Sequence, residues 1–166
     1  MKLIPLTQGK FAQVDDEDYD YLMQWKWRVN NQKGFWYVLK SFNGGSISMH
    51  RFIMNPPKDM VVDHIDHNTL NNQRSNLRIC TRAQNNMNSN AQKGKKTSKY
   101  KGVCLRTLRS KRKYGYWEKQ YWMAYISINN KIKTIGLYPT EKDAALAYNE
   151  AAKKHQGEFA RLNILD

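Results

Sequence analysis

Asp63-His64, Asn76 and Asn85 place a carboxylate, an imidazole and two carboxamides within 23 residues. A carboxylate and a carboxamide are hard oxygen donors. They suit one divalent ion, magnesium or manganese, and leave positions for water and phosphate oxygens. An imidazole titrates near neutrality and can take a proton from water. Together these groups have the means to hydrolyse a phosphodiester. Asp63 and Asn85 are the candidate metal ligands, His64 the candidate base. Asn76 is a candidate for tying the loop backbone and orienting His64, or is only a turn residue.

Such groups must be carried by elements that bring them together. Met60-Val61-Val62 is a β-like run ending at Asp63-His64, and Leu77–Cys80 reads as a second short strand. Thr81-Arg82-Ala83-Gln84 has the form of a capping box, so Asn85 falls in the first turns of a helix. Strand, loop, strand and helix can fold Asp63 and Asn85 toward one another. Arg78 and Arg82 could hold a flanking phosphate, or be ordinary surface charges.

The net charge is +14, unevenly spread. Residues 1–92 carry 11 Lys+Arg against 8 Asp+Glu, whereas 93–166 carry 17 against 6. A field of that sign attracts phosphate polyanions, and aromatic and β-forming residues are interleaved with the cations. No apolar run approaches the roughly 20 residues of a membrane span, and Met1–Leu6 lacks a signal-peptide core. Cys80 and Cys104 are the only cysteines, which gives no disulfide framework or structural zinc site. The expectation is a protein of the cytoplasm with no membrane association and no obligate protein partner.

Ahead of the motif, Lys2–Leu6 and Lys10–Val14 read as a hairpin around Thr7-Gln8-Gly9. Asp15–Asp18 suits a helix N-terminus. Phe35–Ser41 and Ser46–Met49 form a second hairpin around Asn43-Gly44-Gly45. Residues 91–98 read as a basic linker. Beyond it come strands over Tyr100–Leu105, Tyr121–Ile128 and Lys131–Leu137, with a tight turn at Asn129-Asn130. A long loop over 106–120 carries Arg106, Arg109, Lys111, Arg112 and Lys113. Thr140–Asp143 is a capping box with Asp in place of Glu, followed by Ala144, Ala145, Tyr148, Ala151 and Ala152 at helical spacing.

Asp-His-Ile-Asp, Ser-Asn-Leu-Arg and Gln-Asn, in that order, resemble the HNH nuclease motif in its phage and intron-encoded homing endonuclease branch. The resemblance implies a ββα-metal fold holding one divalent ion. It makes Asp63 and Asn85 metal ligands, His64 the general base and Asn76 the loop-bracing residue. Met49–Phe52 resembles the segment before the motif, so His50 and Arg51 support the site; for His50, packing is the alternative. His67 departs from the pattern, which has Gly there.

The series Ser98–Val103, Trp122–Ile126, Ile135–Tyr138, Ala144–Tyr148 and Gly157–Asn163 resembles the APETALA/ethylene-response-factor DNA-binding domain. That resemblance implies a three-stranded sheet lying in the DNA major groove, with Lys101, Arg106, Tyr125, Ser127, Lys131 and Lys133 toward the DNA. Lys99 and the cations of 106–120 would join them at phosphates. Cys104 and Thr134 depart from that family, so its recognition sequence does not transfer.

The expected fold class is α+β. A β-rich extension (1–59) and a ββα-metal motif (60–90) form a nuclease domain, followed by a linker (91–98) and a three-stranded antiparallel sheet packed on one helix (99–166). The expected function is a site-specific, metal-dependent DNA endonuclease, nicking or cutting both strands of double-stranded DNA as a monomer or homodimer. The alternative is a DNA-binding regulator with a degenerate nuclease fold.

Overall fold

The computed structural model describes residues 1–32, 34–89, 97–113, 115–128 and 131–165, except the Arg112 side chain. The chain divides into two compact units, Met1–Asn85 and Asn86–Asp166, and the division falls inside a helix.

The first unit opens with β1 (Lys2–Pro5) and β2 (Phe11–Val14), paired antiparallel from Lys2↔Val14 to Pro5↔Phe11. Alternation turns Ile4, Ala12 and Val14 inward. They form a core with Leu22 of α1 (Asp16–Leu22), Trp27, Val38 and Met49. The three acidic residues of the first turn of α1 match the expected helix start. Its N-cap, Asp15, makes no capping bond.

A second sheet follows in the order β3 (Arg28–Gln32), β4 (Phe35–Phe42), β5 (Gly45–Ser48). The hairpin β4–β5 matches expectation, but β3 and α2 (Met49–Met54) were not anticipated. Arg-Val-Asn-Asn-Gln has one apolar residue, Val29, which is the residue that is buried. Six residues are too few to show a helical period. Phe52 anchors α2 by stacking on Tyr21 (centroids 5.6 Å) and meeting Trp25 edge-on at 4.9 Å. Lys40 caps the group, its ammonium 3.7 Å from the Trp25 ring centroid. This cluster fixes where His50 and Arg51 point.

Against α2 lie β6 (Val61–His64) and β7 (Leu77–Cys80), antiparallel from Val61↔Cys80 to His64↔Leu77. Next comes α3 (Arg82–Asn88). Its start is a reciprocal capping box. Thr81 Oγ1 accepts from Gln84 N (3.2 Å), and Gln84 Oε1 accepts from Thr81 N (2.8 Å).

The second unit is an antiparallel sheet in the order β10 (Lys131–Tyr138), β9 (Gly115–Ile128), β8 (Val103–Arg112), packed on α4 (Glu141–Gln156). Ala144, Ala145 and Ala152 are fully buried and let α4 approach Val103, Ala124 and Ile126 closely. Gly102, at φ +70°, has no room for a Cβ, which would overlap the Tyr148 ring. The Thr140 cap works through Asp143 as expected, accepting from its N–H at 3.1 Å.

The expected loop over 106–120 is corrected. Residues Val103–Arg112 and Gly115–Ile128 form one long hairpin, paired from Val103↔Ala124 to Arg112↔Gly115. Polar residues on both of its faces leave no apolar alternation to reveal strands. Thr97 and Ser98 also do not behave as linker. Thr97 Oγ1 accepts from Leu105 N (2.8 Å), and Ser98 Oγ donates to Glu141 Oε1 (2.6 Å). The rest of the expected linker, and the Asn129-Asn130 turn, lie outside the described residues. Among the described residues, no helix is long and apolar enough to cross a membrane.

Candidate active site

Register places Asp63 opposite Arg78, on the same face of the β6–β7 hairpin as Cys80. Both are nearly buried, with side-chain exposures of 7% for Asp63 and 12% for Arg78. Arg78 Nε and Nη2 both donate to Asp63 Oδ2, at 3.0 and 2.8 Å. Arg78 is therefore not offered to a flanking phosphate in this conformation. The Cys80 thiol is pushed up by burial and then by the Asp63 carboxylate, with Arg78 and the Asn85 backbone opposing. Asp63 and the backbone of Asn85 thus both lie near one thiol. Arg82, the first residue of α3, is exposed.

His64 takes the other side of the hairpin, as strand alternation requires of the next residue. It is 6% exposed. Its ring meets the His50 ring edge-on at 5.0 Å. The carboxamide of Asn72, itself fully buried, lies near enough to favour the protonated ring. Burial lowers the His64 pKa below 6.5 and the His67 ring adds to that, while Asn72, Asp66 and Asp63 oppose it. The net direction is down, so His64 is the neutral base at neutral pH. His50 is pushed down to about 3, first by burial, then by His64 and Arg51. Its Nε2 lies 3.1 Å from Ser48 Oγ. Arg51 Nη1 donates to Met60 O at 3.1 Å, tying α2 to the residue that leads into β6.

The loop between the strands is locked from within. Asn76 is 8% exposed. Its Oδ1 accepts from Asp66 N (3.0 Å), and its Nδ2 donates to Asn71 O (2.9 Å). Asp66 Oδ1 accepts from Asn68 N at 2.7 Å and Oδ2 from Asn71 Nδ2 at 3.1 Å. Burial raises the Asp66 pKa, but donors from Asn68, Asn71 and Asn76 outweigh it and bring it below 3.8. His67 sits at φ +65°, a left-handed turn position. That explains why the motif carries Gly there.

The loop is also gripped from outside. Asp15 accepts from Gln73 Nε2 (2.9 Å) and Arg74 N (2.7 Å). Asp18 takes Arg74 Nε and Nη2 at 2.9 and 2.7 Å. Gln13 exchanges backbone bonds with Leu70 and Asn72, and Thr69 Oγ1 donates to Trp36 O at 2.6 Å. The acidic run that reads as a helix start thus has a second use, as a clamp on the motif loop. The Asp66-His67-Asn68 turn former hints at this lattice in the sequence. Nothing in the sequence singles out Asn72.

So the structure makes two groupings from the expected site. Asp63, Arg78, Cys80 and the start of α3 share one. His64, His50, Asn72 and Asp66 share the other. Hard oxygen donors at Asp63 and Asn85 fit magnesium or manganese in kind. No cluster of three or more His, Cys, Asp or Glu converges among the described residues, so this chain would supply few ligands to any ion here, as magnesium sites commonly do.

An HNH endonuclease family profile matches residues 55–87, the span that holds Asp63, His64, Asn76 and Asn85. A protein of Acanthamoeba polyphaga mimivirus, "Uncharacterized HNH endonuclease L560", is 36% identical over 172 residues, covering 99% of this chain and 80% of that relative. The chain belongs to the HNH endonuclease family. No solved structure matches it. The family profile stops at residue 87, so the ethylene-response-factor likeness of the second unit has no support from it.

In this HNH protein the second unit holds the remaining expected residues. Arg106, Tyr125 and Ser127 lie on the sheet face away from α4, since they alternate with or pair across from residues of that face. Three other expected groove contacts are placed differently. Lys133 and Lys131 pair with Ile126 and Ile128, and Ile126 packs on α4, so their register is on the helix side. Lys101 Nζ donates to the carbonyls of Met87 and Ser89 (2.7 Å to Ser89). Its pKa is pushed down to about 8, first by burial, then by Arg161. Lys99 is exposed, with its ammonium 5.1 Å from the Tyr100 ring centroid. Lys111 and Lys113 are exposed, and Arg109 is paired with Glu118 at 2.7 Å.

Proposed function

We propose that this HNH protein is a site-specific, metal-dependent DNA endonuclease of the homing type, leaving 3′-hydroxyl and 5′-phosphate ends. The N-terminal unit cuts and the C-terminal unit, read as an ethylene-response-factor-like module, holds double-stranded DNA. One observation supports this most. The family-matched span holds Asp63 and His64 at the end of β6 and Asn85 in α3, and Asn76 locks the loop between β6 and β7 with both ends of its amide.

Asp63 and Asn85 would hold one divalent ion, magnesium or manganese, which when bound neutralises charge on the phosphate and the leaving oxygen. His64 is the last residue of β6, where the strand gives way to the loop. Neutral at working pH, it accepts the proton of the attacking water at its imidazole ring. Asn76 and Asn72 keep that ring in place, and His50 and Arg51 support it from α2. Arg78 must leave Asp63 for the ion to enter, and a phosphate is the anion that can draw the guanidinium away. One site per chain suits nicking by a monomer; a homodimer would break both strands.

A second reading draws on the Asp63–Arg78 pair and the burial of His64. Both describe a closed site, as in a DNA-binding regulator that keeps the fold without turnover. Supercoiled plasmid with a randomised insert separates the two. With magnesium or manganese, nicked or linear product that disappears with chelator supports the enzyme. Retarded but intact plasmid under every divalent ion supports the regulator.

A further inference from the structure

The carboxylate expected to hold the ion is already occupied by a cation of the chain itself. β6 and β7 set Asp63 opposite Arg78. The guanidinium places two N–H donors on the single oxygen Oδ2, Nε at 3.0 Å and Nη2 at 2.8 Å. Both side chains are close to buried. An ion pair shielded from water is screened little by salt and does not open as readily as a surface pair.

This pair cannot be neutralised on the arginine side, because a guanidinium keeps its proton in proteins. The neighbouring cross-strand pair on the same face, Val61↔Cys80, brings no second carboxylate to take the guanidinium over. A divalent ion brought to Oδ2 therefore meets a positive charge already seated there, and the two repel. Arg78 gives up Asp63 only for another anion. Phosphate oxygens accept the same fork of donors that a carboxylate does. The anion suited to draw Arg78 away is thus the group that an endonuclease acts on.

We infer that Arg78 is a latch on Asp63: it keeps the divalent ion out of the free protein and yields to a phosphate of bound DNA, so that ion and DNA load together. The inference rests on the reading that Asp63 holds the ion, and it adds how loading is controlled. It also accounts for a closed site in a chain that cuts. By linkage, the factor by which DNA tightens the ion is the factor by which the ion tightens DNA. An arginine that only oriented the carboxylate for the ion would act in the opposite sense, and its removal would weaken the ion.

The test reads ion binding apart from cutting. Manganese is titrated into the full-length protein without DNA, and bound ion is followed by electron paramagnetic resonance. The parent, Arg78→Gln and Asp63→Asn/Arg78→Gln are compared, with folding checked by circular dichroism. Arg78→Gln is expected to bind manganese about tenfold more tightly than the parent or better, and the double variant to lose that gain. A second measurement needs no variant to fold. The free manganese that half-saturates plasmid cleavage by the parent should lie about tenfold or more below its DNA-free dissociation constant, and in Arg78→Gln the two values should draw together. Equal or weaker ion binding by Arg78→Gln would overturn the latch, as would equal values of the two constants in the parent. Chelator-sensitive cleavage alongside either result would leave the nuclease reading standing. Ion binding retained by the double variant would place the ion away from Asp63 and overturn the latch and the ligand assignment together.

Discussion

The motif loop over 65–76 and the ribbon over 106–120 are both polar, exposed in part and close to the expected function, yet they are built in opposite ways. In the loop nearly every carboxylate and carboxamide is committed. Asn76 and Asp66 bind it internally, and Asp15 and Asp18 clamp it from 58 residues away or so in the chain. In the ribbon, backbone pairing supplies the order and most side chains are exposed, with Arg109 on Glu118 and Lys119 over Tyr121. The loop holds side chains to a geometry, which hydrolysis needs. The ribbon presents charge, which groove binding needs. Substitutions in the first should cost folding free energy and those in the second almost none.

The largest effect should come from Asn76→Ala. It removes two buried hydrogen bonds and strands the Asp66 N–H and Asn71 carbonyl, at a cost of about 2–4 kcal/mol. Chemical denaturation should show the midpoint drop with the slope unchanged. Stability equal to the parent would mean that the loop is not braced through this residue.

The next effect is acid sensitivity confined to the N-terminal unit. Folded His50 stays neutral down to about 3 whereas the unfolded chain takes up a proton below 6.5, and His64 shifts in the same direction. The unfolded chain binds more protons in that window. Stability therefore falls as pH drops from 6.5 toward 3, by up to about 1.4 kcal/mol per pH unit on account of His50, with His64 adding in the same direction, and does not change on this account above 6.5. Denaturation midpoints from pH 8 to pH 4 test it, and His50→Phe should flatten the decline.

The smallest effect has the opposite sign. His67→Gly places the residue suited to φ +65° in the turn, for a gain of at most about 1 kcal/mol after the flexibility of glycine is counted. A rise of a few degrees in the thermal midpoint would fit; a fall would show that the His67 ring contributes more than the backbone strain costs.

How much of this was legible in the sequence follows the same divide. β-forming runs such as Met60–Val62 and Leu77–Cys80 disclosed β6 and β7, and Thr81 with Gln84 disclosed the start of α3, because local chemistry sets them. The alanine spacing of α4 was equally plain. Hidden were β3, α2 and the ribbon, whose residues carry no apolar period, and the clamp of Asp15 and Asp18 on Arg74, which pairs residues far apart in the chain. The sequence named Asp63 and His64 together, but strand alternation turns them to different sides. It offered Arg78 to phosphate, but register sets it on Asp63. Both outcomes depend on cross-strand pairing, which spacing alone does not reveal.

The central claim is that Asp63, His64 and Asn85 perform hydrolysis. Single-turnover cleavage of plasmid at saturating protein, with magnesium, tests it most directly when parent and His64→Ala are compared and duplex binding is measured on both. The account predicts cleavage reduced by about 10²- to 10⁴-fold with binding retained. Cleavage by His64→Ala at the parental rate would contradict it.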